Sequence, residues 1–316
     1  MDQDHNSPRD ACCDRTRLRP LGLTGARGSI TEVDLIHIDD PTDVRLADYR
    51  NIPDRALAAR GDVFVAEGRL VVSRLLSSPR LVTRSLLLTD AALGALEDDP
   101  AWQRPAHAAV PAYLVPPTVM ATVTGFDVHR GCLAIGERPV TTEWAALAAG
   151  AHRVVVAERI ANADNVGALF RNAAAFGVDG VLLDPACTDP LYRKAIRTSM
   201  GATLHIPFAR VEPWPDGLLA LRAGGFFLVA LSPNAPAILS ALPSAAAGTS
   251  AAANGKVAII VGHEGDGLSP KVLALCDHQA RIPMAPGVDS LNVATAAALA
   301  LYELQRHPSE DGHLQR

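Results

Sequence analysis

The stretch Val257-Ala258-Ile259-Ile260-Val261-Gly262-His263-Glu264-Gly265-Asp266-Gly267-Leu268-Ser269 decides the fold class. Its apolar run has no polar alternation, which marks a strand buried on both faces, and three glycines then turn the chain with Glu264 at the tip. Runs of the same kind recur at 154–157, 181–183 and 226–231, with helical patterns between them. The clearest helix carries Val166, Leu169, Phe170, Ala173 and Ala174 at spacings of three and four, one apolar stripe. A last helix is expected over 292–306. Buried strands alternating with helices imply an α/β fold with a parallel sheet covered on each side.

Upstream, a smaller α/β unit is expected over 29–138, from apolar runs at 63–65, 86–88, 113–115 and 132–135 and a helical pattern at 69–76. The stretch 139–152, with Pro139, two threonines and an alanine-glycine run, reads as a linker to a domain at 153–308. Residues 1–28 and 309–316 read as tails, and the small-residue stretch 241–255 as an exposed loop.

Composition narrows the function. With 316 residues, 48% hydrophobic and 20% charged, the chain is long enough for one or two globular domains. No apolar run is long enough to span a membrane and no export signal is visible, so a cytoplasmic location is expected. Aromatic residues make up only 4%, which argues against a surface built on rows of stacking aromatics. The net charge of −5 means that a polyanion must be held by local basic clusters. Cys12, Cys13, Cys132, Cys187 and Cys276 form no CxxC pair, so neither a disulfide framework nor a metal site is expected.

Ligands of α/β sheets bind beyond the carboxyl ends of strands, and three segments stand there. The first is 162–172, where Asn162 or Asp164 can cap a helix carrying Asn165 and Arg171. The second is the glycine turn 262–269. The third is the loop 283–292, rich in Pro and Gly, which delivers Ser290 as a candidate cap for the last helix. A capped helix with a surface arginine, or a plain turn, accounts for the first two singly, and capping accounts for Ser290 but not for its loop. Gly262, Gly265 and Gly267 do not have GxGxxG spacing, and Val257 follows Gly255-Lys256 where a P-loop needs Ser or Thr. HExxH and GxSxG are also missing, which disfavours the common hydrolases.

Together, NVGALFRNAAAFG (165–177), VGHEGDGLS (261–269) and IPMAPGVDSLNVATAAAL (282–299) resemble the three signature motifs of the SpoU/TrmH class of SPOUT RNA methyltransferases. The resemblance covers about 153–306, and FVAEGRLVVSRLL and VTGFDVHRGCLAIGERP resemble, less closely, that family's N-terminal substrate-binding domain. It implies a C-terminal SPOUT domain with a parallel sheet and deep trefoil knot, preceded by a small α/β substrate-binding domain. It further implies transfer of a methyl group from S-adenosylmethionine, without a metal, to a ribose 2′-hydroxyl of rRNA or tRNA, rRNA ahead, by a homodimer. A catalytically silent RNA-binding relative is the alternative, and an enzyme methylating a small molecule is a third option.

Carried over by motif, Arg171, Asn165, Glu264, Ser290 and Asn292 are the catalytic candidates. Asn165 and Asn292 would orient Arg171 and the ribose, Ser290 would donate a positioning hydrogen bond, and Glu264 would brace the loops through backbone amides. Arg171 can act as a base or hold a phosphate and stabilise charge on oxygen; a guanidinium, protonated at neutral pH, suits the second role better. Gly262, Ile282, Leu291, Pro283, Gly265 and Met284 are the cofactor candidates. Arg193, Lys194 and Arg197 are the RNA-binding candidates, with a solvated helix face as the competing account. Arg69, Arg74, Arg80 and Arg84 either add phosphate contacts or serve solubility.

Overall fold

The computed structural model describes residues 34–50, 61–103, 110–126, 128–140, 142–241 and 255–306. The expected tails, most of the loop expected at 241–255, and Cys12 and Cys13 lie outside the described residues. Five strands, β1 (Leu35–His37), β2 (Val63–Glu67), β3 (Thr83–Leu88), β4 (Ala112–Leu114) and β5 (Cys132–Glu137), form a sheet ordered β1-β4-β3-β5-β2. β1, β4 and β3 are parallel, whereas β5 runs antiparallel to β3 and β2. Helices α1 (Arg69–Ser77), α2 (Asp90–Leu96) and α3 (Pro117–Thr124) follow β2, β3 and β4. Alternation sorts each strand between two cores: Phe64, Leu86 and Leu88 face α1 and α2, while Val65, Leu87 and Leu133 face α3.

The second sheet has seven strands: β6 (Arg153–Ala157), β7 (Gly180–Leu183), β8 (Phe208–Arg210), β9 (Phe226–Leu231), β10 (Ala237–Ile238), β11 (Lys256–Val261) and β12 (His278–Arg281). Every pairing is parallel, in the order β10-β12-β9-β11-β6-β7-β8. Its helices are α4 (Trp144–Ala149), α5 (Ala163–Ala175), α6 (Arg193–Thr198), α7 (Gly217–Ala223), α8 (Pro270–Leu275) and α9 (Val293–Arg306). Val155, Val229 and Ile259 pack on one face with α5 and α9, and Val154, Leu228 and Ile260 pack on the other with α4, α7 and α8. Burial on both faces is the physical reason these strands read as unbroken apolar runs.

Two local expectations change. Helix α5 buries Val166, Leu169, Phe170 and Ala173 fully, but Ala174, at the edge of the stripe, is exposed near the helix end. The stretch read as a linker contains α4, because Trp144 and Leu147, three residues apart, pack with Ala148 and Ala151 against the second sheet. That apolar face outweighs the flexible look of its small neighbours.

The two sheets share a seam. Leu191, Ile196 and Leu204 from the second half pack in the same core as α1 and β3. Arg74 donates to the Met200 carbonyl, Arg80 to the His205 carbonyl at 3.3 Å, and Arg138 to Asp189 at 2.8 Å. Among the described residues no helix is long and apolar enough to cross a membrane.

Candidate active site

Asn162 starts α5 by accepting the Asp164 N–H at 2.8 Å, which leaves Asn165 in the first turn facing the loop after β11. Asn165 Nδ2 donates to Glu264 Oε1 at 2.6 Å, and Asn292 Nδ2 donates to Asn165 Oδ1 at 2.8 Å. Three segments far apart in sequence thus meet in one chain of side-chain hydrogen bonds, Asn292 to Asn165 to Glu264. Asn292 Oδ1 also accepts the N–H groups of Ala294 and Thr295, so Asn292 caps α9. This corrects the expectation that Ser290 is the cap: the amide oxygen two residues later reaches the free amides of the first turn. Asn172, seven residues after Asn165 on the same face of α5, donates to the Ala294 carbonyl at 2.7 Å and clamps the two helices.

Beside this chain of amides lies a cavity of about 380 Å³ at the carboxyl ends of the neighbouring strands β9, β11 and β12. Gly262, Gly265, Ile282, Met284 and Leu291 line it, as do Glu264 and Ser290; Pro283 is not among the lining residues. Sequence reasoning missed the wall after β9, Ser232-Pro233-Asn234, although it too follows an apolar strand. The wall is mixed: apolar side chains such as Ile282, Met284 and Leu291 stand beside polar ones such as Asn234, Glu264, Asp266 and Gln279, a combination that suits a small organic ligand with polar groups. Gly262 is required by close approach, since a Cβ there would lie 2.5 Å from the Gly267 carbonyl carbon and the Leu268 nitrogen. His263 Nδ1 accepts the N–H groups of Gly265 and Asp266 at 3.0 and 3.2 Å and so holds the tip of this turn.

The base of the turn is held by a residue the sequence reading passed over. Glu158, buried at the end of β6, accepts the Ser269 N–H and hydroxyl, both at 2.7 Å, and the Trp214 indole N–H at 3.3 Å. The bracing through a backbone amide expected of Glu264 therefore falls to Glu158, and Glu264 takes a side-chain amide instead. The available signal was a lone carboxylate directly after an apolar strand.

Arg171 is not brought into this group. It is exposed, it does not line the cavity, and among the described residues it has no hydrogen-bond or ion-pair partner. Six residues of helix place it about 9 Å along α5 from Asn165 and about 120° around the axis. Instead it shares a stripe with Asp164, which pairs with Lys194 at 2.7 Å and accepts the Thr198 hydroxyl at 2.9 Å. The Lys194 hydrogen bond, opposed in part by desolvation and aided by Thr198, holds the Asp164 carboxyl below its ordinary range. Gly167 lets α5 and α6 approach this closely, since a Cβ there would meet the Ala195 carbonyl oxygen at 2.6 Å.

The basic trio on α6 is engaged with protein. Arg193 and Arg197 lie 3.8 and 3.6 Å from the buried carboxylate of Glu67, and Arg193 also covers the Phe126 ring at 4.0 Å. Arg84, one of the scattered arginines, pairs with Asp48, Asp62 and Glu137. Burial pushes the thiols of Cys132, Cys187 and Cys276 up to about 12, which makes them poor nucleophiles at neutral pH.

Comparison with known proteins places the chain in a family. The sequence model of the SpoU rRNA Methylase family matches residues 152–302. An uncharacterized tRNA/rRNA methyltransferase of Mycobacterium tuberculosis is 42% identical over 280 residues, covering 87% of this chain and 93% of the relative. Among solved structures, an AdoMet-bound rRNA methyltransferase from Sinorhizobium meliloti superposes with a TM-score of 0.69 at 24% identity, over 86% of this chain and 98% of that one. An RNA 2′-O ribose methyltransferase superposes with a TM-score of 0.64, also at 24% identity, over 86% and 99%. At these identities the two structures are likenesses of fold.

Proposed function

Because the chain belongs to the SpoU rRNA methylase family, in the SpoU/TrmH class, we propose that it transfers a methyl group from S-adenosylmethionine to a ribose 2′-hydroxyl of RNA, rRNA ahead of tRNA. The observation that carries this is the chain from Asn292 through Asn165 to Glu264, which ties three separate segments at the edge of one cavity. The ribose specificity accords with what one structural neighbour is known as.

The cavity fits that cofactor on this chain's own chemistry. Apolar walls from Ile282, Met284 and Leu291 suit an adenosyl group, and the carboxylates of Glu264 and Asp266 suit a cationic sulfonium. When bound, S-adenosylmethionine supplies an electrophilic methyl group. Glu264, fixed by Asn165, and Ser290 orient the incoming ribose by hydrogen bonds. Arg171 holds a phosphate of the RNA and stabilises negative charge developing on the attacking oxygen.

Arg171 lies about 9 Å along α5 and about 120° around its axis from Asn165 and does not line the cavity of its own subunit; a homodimer is the arrangement that would bring it to the partner's cavity. The outer face of α9 supports such pairing. Its Leu299 and Tyr302 are exposed beyond Val288 and Leu291, whereas Ala294, Ala297 and Ala300 are buried in their own subunit. A deep knot accords with the path after β11: the chain crosses β9 to form β12, then returns so that α9 lies against α5 beside β6. On this account residues 153–308 form the methyltransferase domain and 29–138 the RNA-binding domain.

The test supplies labelled S-adenosylmethionine with unmodified rRNA and tRNA, digests the RNA, and separates the nucleosides for the wild type and Arg171→Ala. Label in 2′-O-methylnucleosides that falls at least 100-fold in the variant is the expected result. Tight RNA binding with no label in any RNA would favour the silent relative, and label on a base would overturn the ribose assignment.

A further inference from the structure

A second cavity, of about 530 Å³, opens at the edge of the first sheet where β2, β3 and β4 pass into α1, α2 and α3. Its volume lies in the range of about 300–1,000 Å³ typical of ligand pockets. Met120 and Val128 give it an apolar floor, Ala91 and Ala121 an open rim, and Arg69 and Arg130 its charge. Among the described residues no carboxylate lines it.

The two arginines differ from the others around them. In the first half, Arg45, Arg84 and Arg138 pair with carboxylates, and Arg50, Arg74 and Arg80 donate to backbone carbonyls. Among the described residues of that half, Arg69 and Arg130 alone have no hydrogen-bond or ion-pair partner, and both face the same hollow. A chain of net charge −5 has carboxylates to spare, so two guanidinium groups left together need another explanation. Like charges around one hollow repel unless an anion sits between them.

The frame is built to keep them there. The Gly68 N–H donates to the Cys132 carbonyl at 2.8 Å and Thr89 N–H to the Gly131 carbonyl at 3.0 Å, joining the segments that carry Arg69 and Arg130. Arg130 is held at φ 58°, a left-handed conformation costly for a residue with a Cβ. Helices α1 and α3 begin without side-chain caps, so their first N–H groups add positive potential at this edge.

We propose that this cavity takes one nucleotide of the RNA substrate, with its phosphate between Arg69 and Arg130 and its base or ribose against Met120 and Val128. The apolar floor favours a nucleotide over a bare phosphate, and the position on the first sheet lets it grip RNA at a distance from the methyl-transfer cavity. The inference rests on the RNA methyltransferase function proposed above.

The experiment measures binding of an unmodified rRNA transcript across salt concentrations, with no methyl transfer required, for the wild type, Arg69→Gln/Arg130→Gln and Ala91→Glu. Ala91→Glu adds a charge at an exposed helix start where acids are favourable, so it probes the site without stressing the fold. Each lost phosphate contact lowers the slope of log affinity against log salt by about 1, and the two arginines share one phosphate, so the double variant should lose about 1, with at least tenfold weaker binding. Ala91→Glu should weaken binding as well, and S-adenosylmethionine affinity should be unchanged in both variants. An unchanged slope overturns the proposal. So does a free nucleoside monophosphate that saturates the wild type but not the double variant while both bind RNA alike. Arginine-dependent RNA binding without methyl transfer would uphold this site and sink the enzymatic function, and methyl transfer with an unchanged slope would do the reverse.

Discussion

The seam between the two sheets and the cavity beyond β9, β11 and β12 use polar side chains in opposite ways. At the seam, Arg74, Arg80, Arg138, Arg193 and Arg197 all reach protein acceptors, two of them one buried carboxylate. At the cavity, Glu264 has one partner among the described residues, Asn165, and still faces the open space. The difference teaches that a count of cations does not tell arginines engaged with protein from those left open. Glu264 is braced on one side and open on the other, and Arg69 and Arg130 face a cavity without a protein partner among the described residues, whereas the α6 trio is paired with carboxylates.

The comparison breaks most sharply if the cavity tolerates bulk. Gly262→Ala forces a Cβ into the backbone of Gly267 and Leu268; an overpacking cost of about 1–3 kcal/mol, if it falls on the bound state, corresponds to roughly 5- to 150-fold weaker S-adenosylmethionine binding by calorimetry. Unchanged affinity would mean that the turn shape does not form the site. At the seam, Glu67→Ala removes the acceptor shared by Arg193 and Arg197. A fully buried pair loses about 3–5 kcal/mol when one member goes, and the exposure of Arg197 reduces this to about 2 kcal/mol. Denaturant unfolding should show that loss while cofactor affinity stays constant; a drop in affinity would join the regions that the account separates.

A smaller effect is expected of Arg197→Ala, below about 1 kcal/mol, because its side chain is 56% exposed. If instead it weakens RNA binding tenfold with unchanged stability, α6 is an RNA surface after all. Smallest is a pH effect at Asp164, whose carboxyl is held below its ordinary range first by the Lys194 hydrogen bond. A lowered folded pKa gives stability that is present above the unfolded carboxylate range and lost as pH falls through the folded value. Asp164→Asn should therefore flatten the acid limb of the stability curve slightly, read by thermal melts across pH.

Much of this arrangement was legible in the chain. The parallel sheet was, because strands covered on both faces must be apolar throughout, as 154–157 and 257–261 are. The loops around the cavity were, because close backbone approach needs glycine at positions such as Gly262. The seam was not legible: Arg80 meets His205 across 125 residues, and no local pattern announces a carbonyl acceptor. Glu158 was missed for a related reason, since a carboxylate after a strand looks the same whether it meets solvent or Ser269. The mixed order of the first sheet also escaped, as β1 has three residues and no periodicity to detect.

The most direct test of the hydrogen-bonded chain as the heart of the site is a double-mutant cycle on methyl-transfer rate, with Asn165→Ala, Glu264→Gln and both together. The two side chains are bonded at 2.6 Å, so each single variant should lose most of the rate and the double variant little more, giving a coupling of about 1–3 kcal/mol. Losses that simply add would contradict the account, because Asn165 and Glu264 would then act apart.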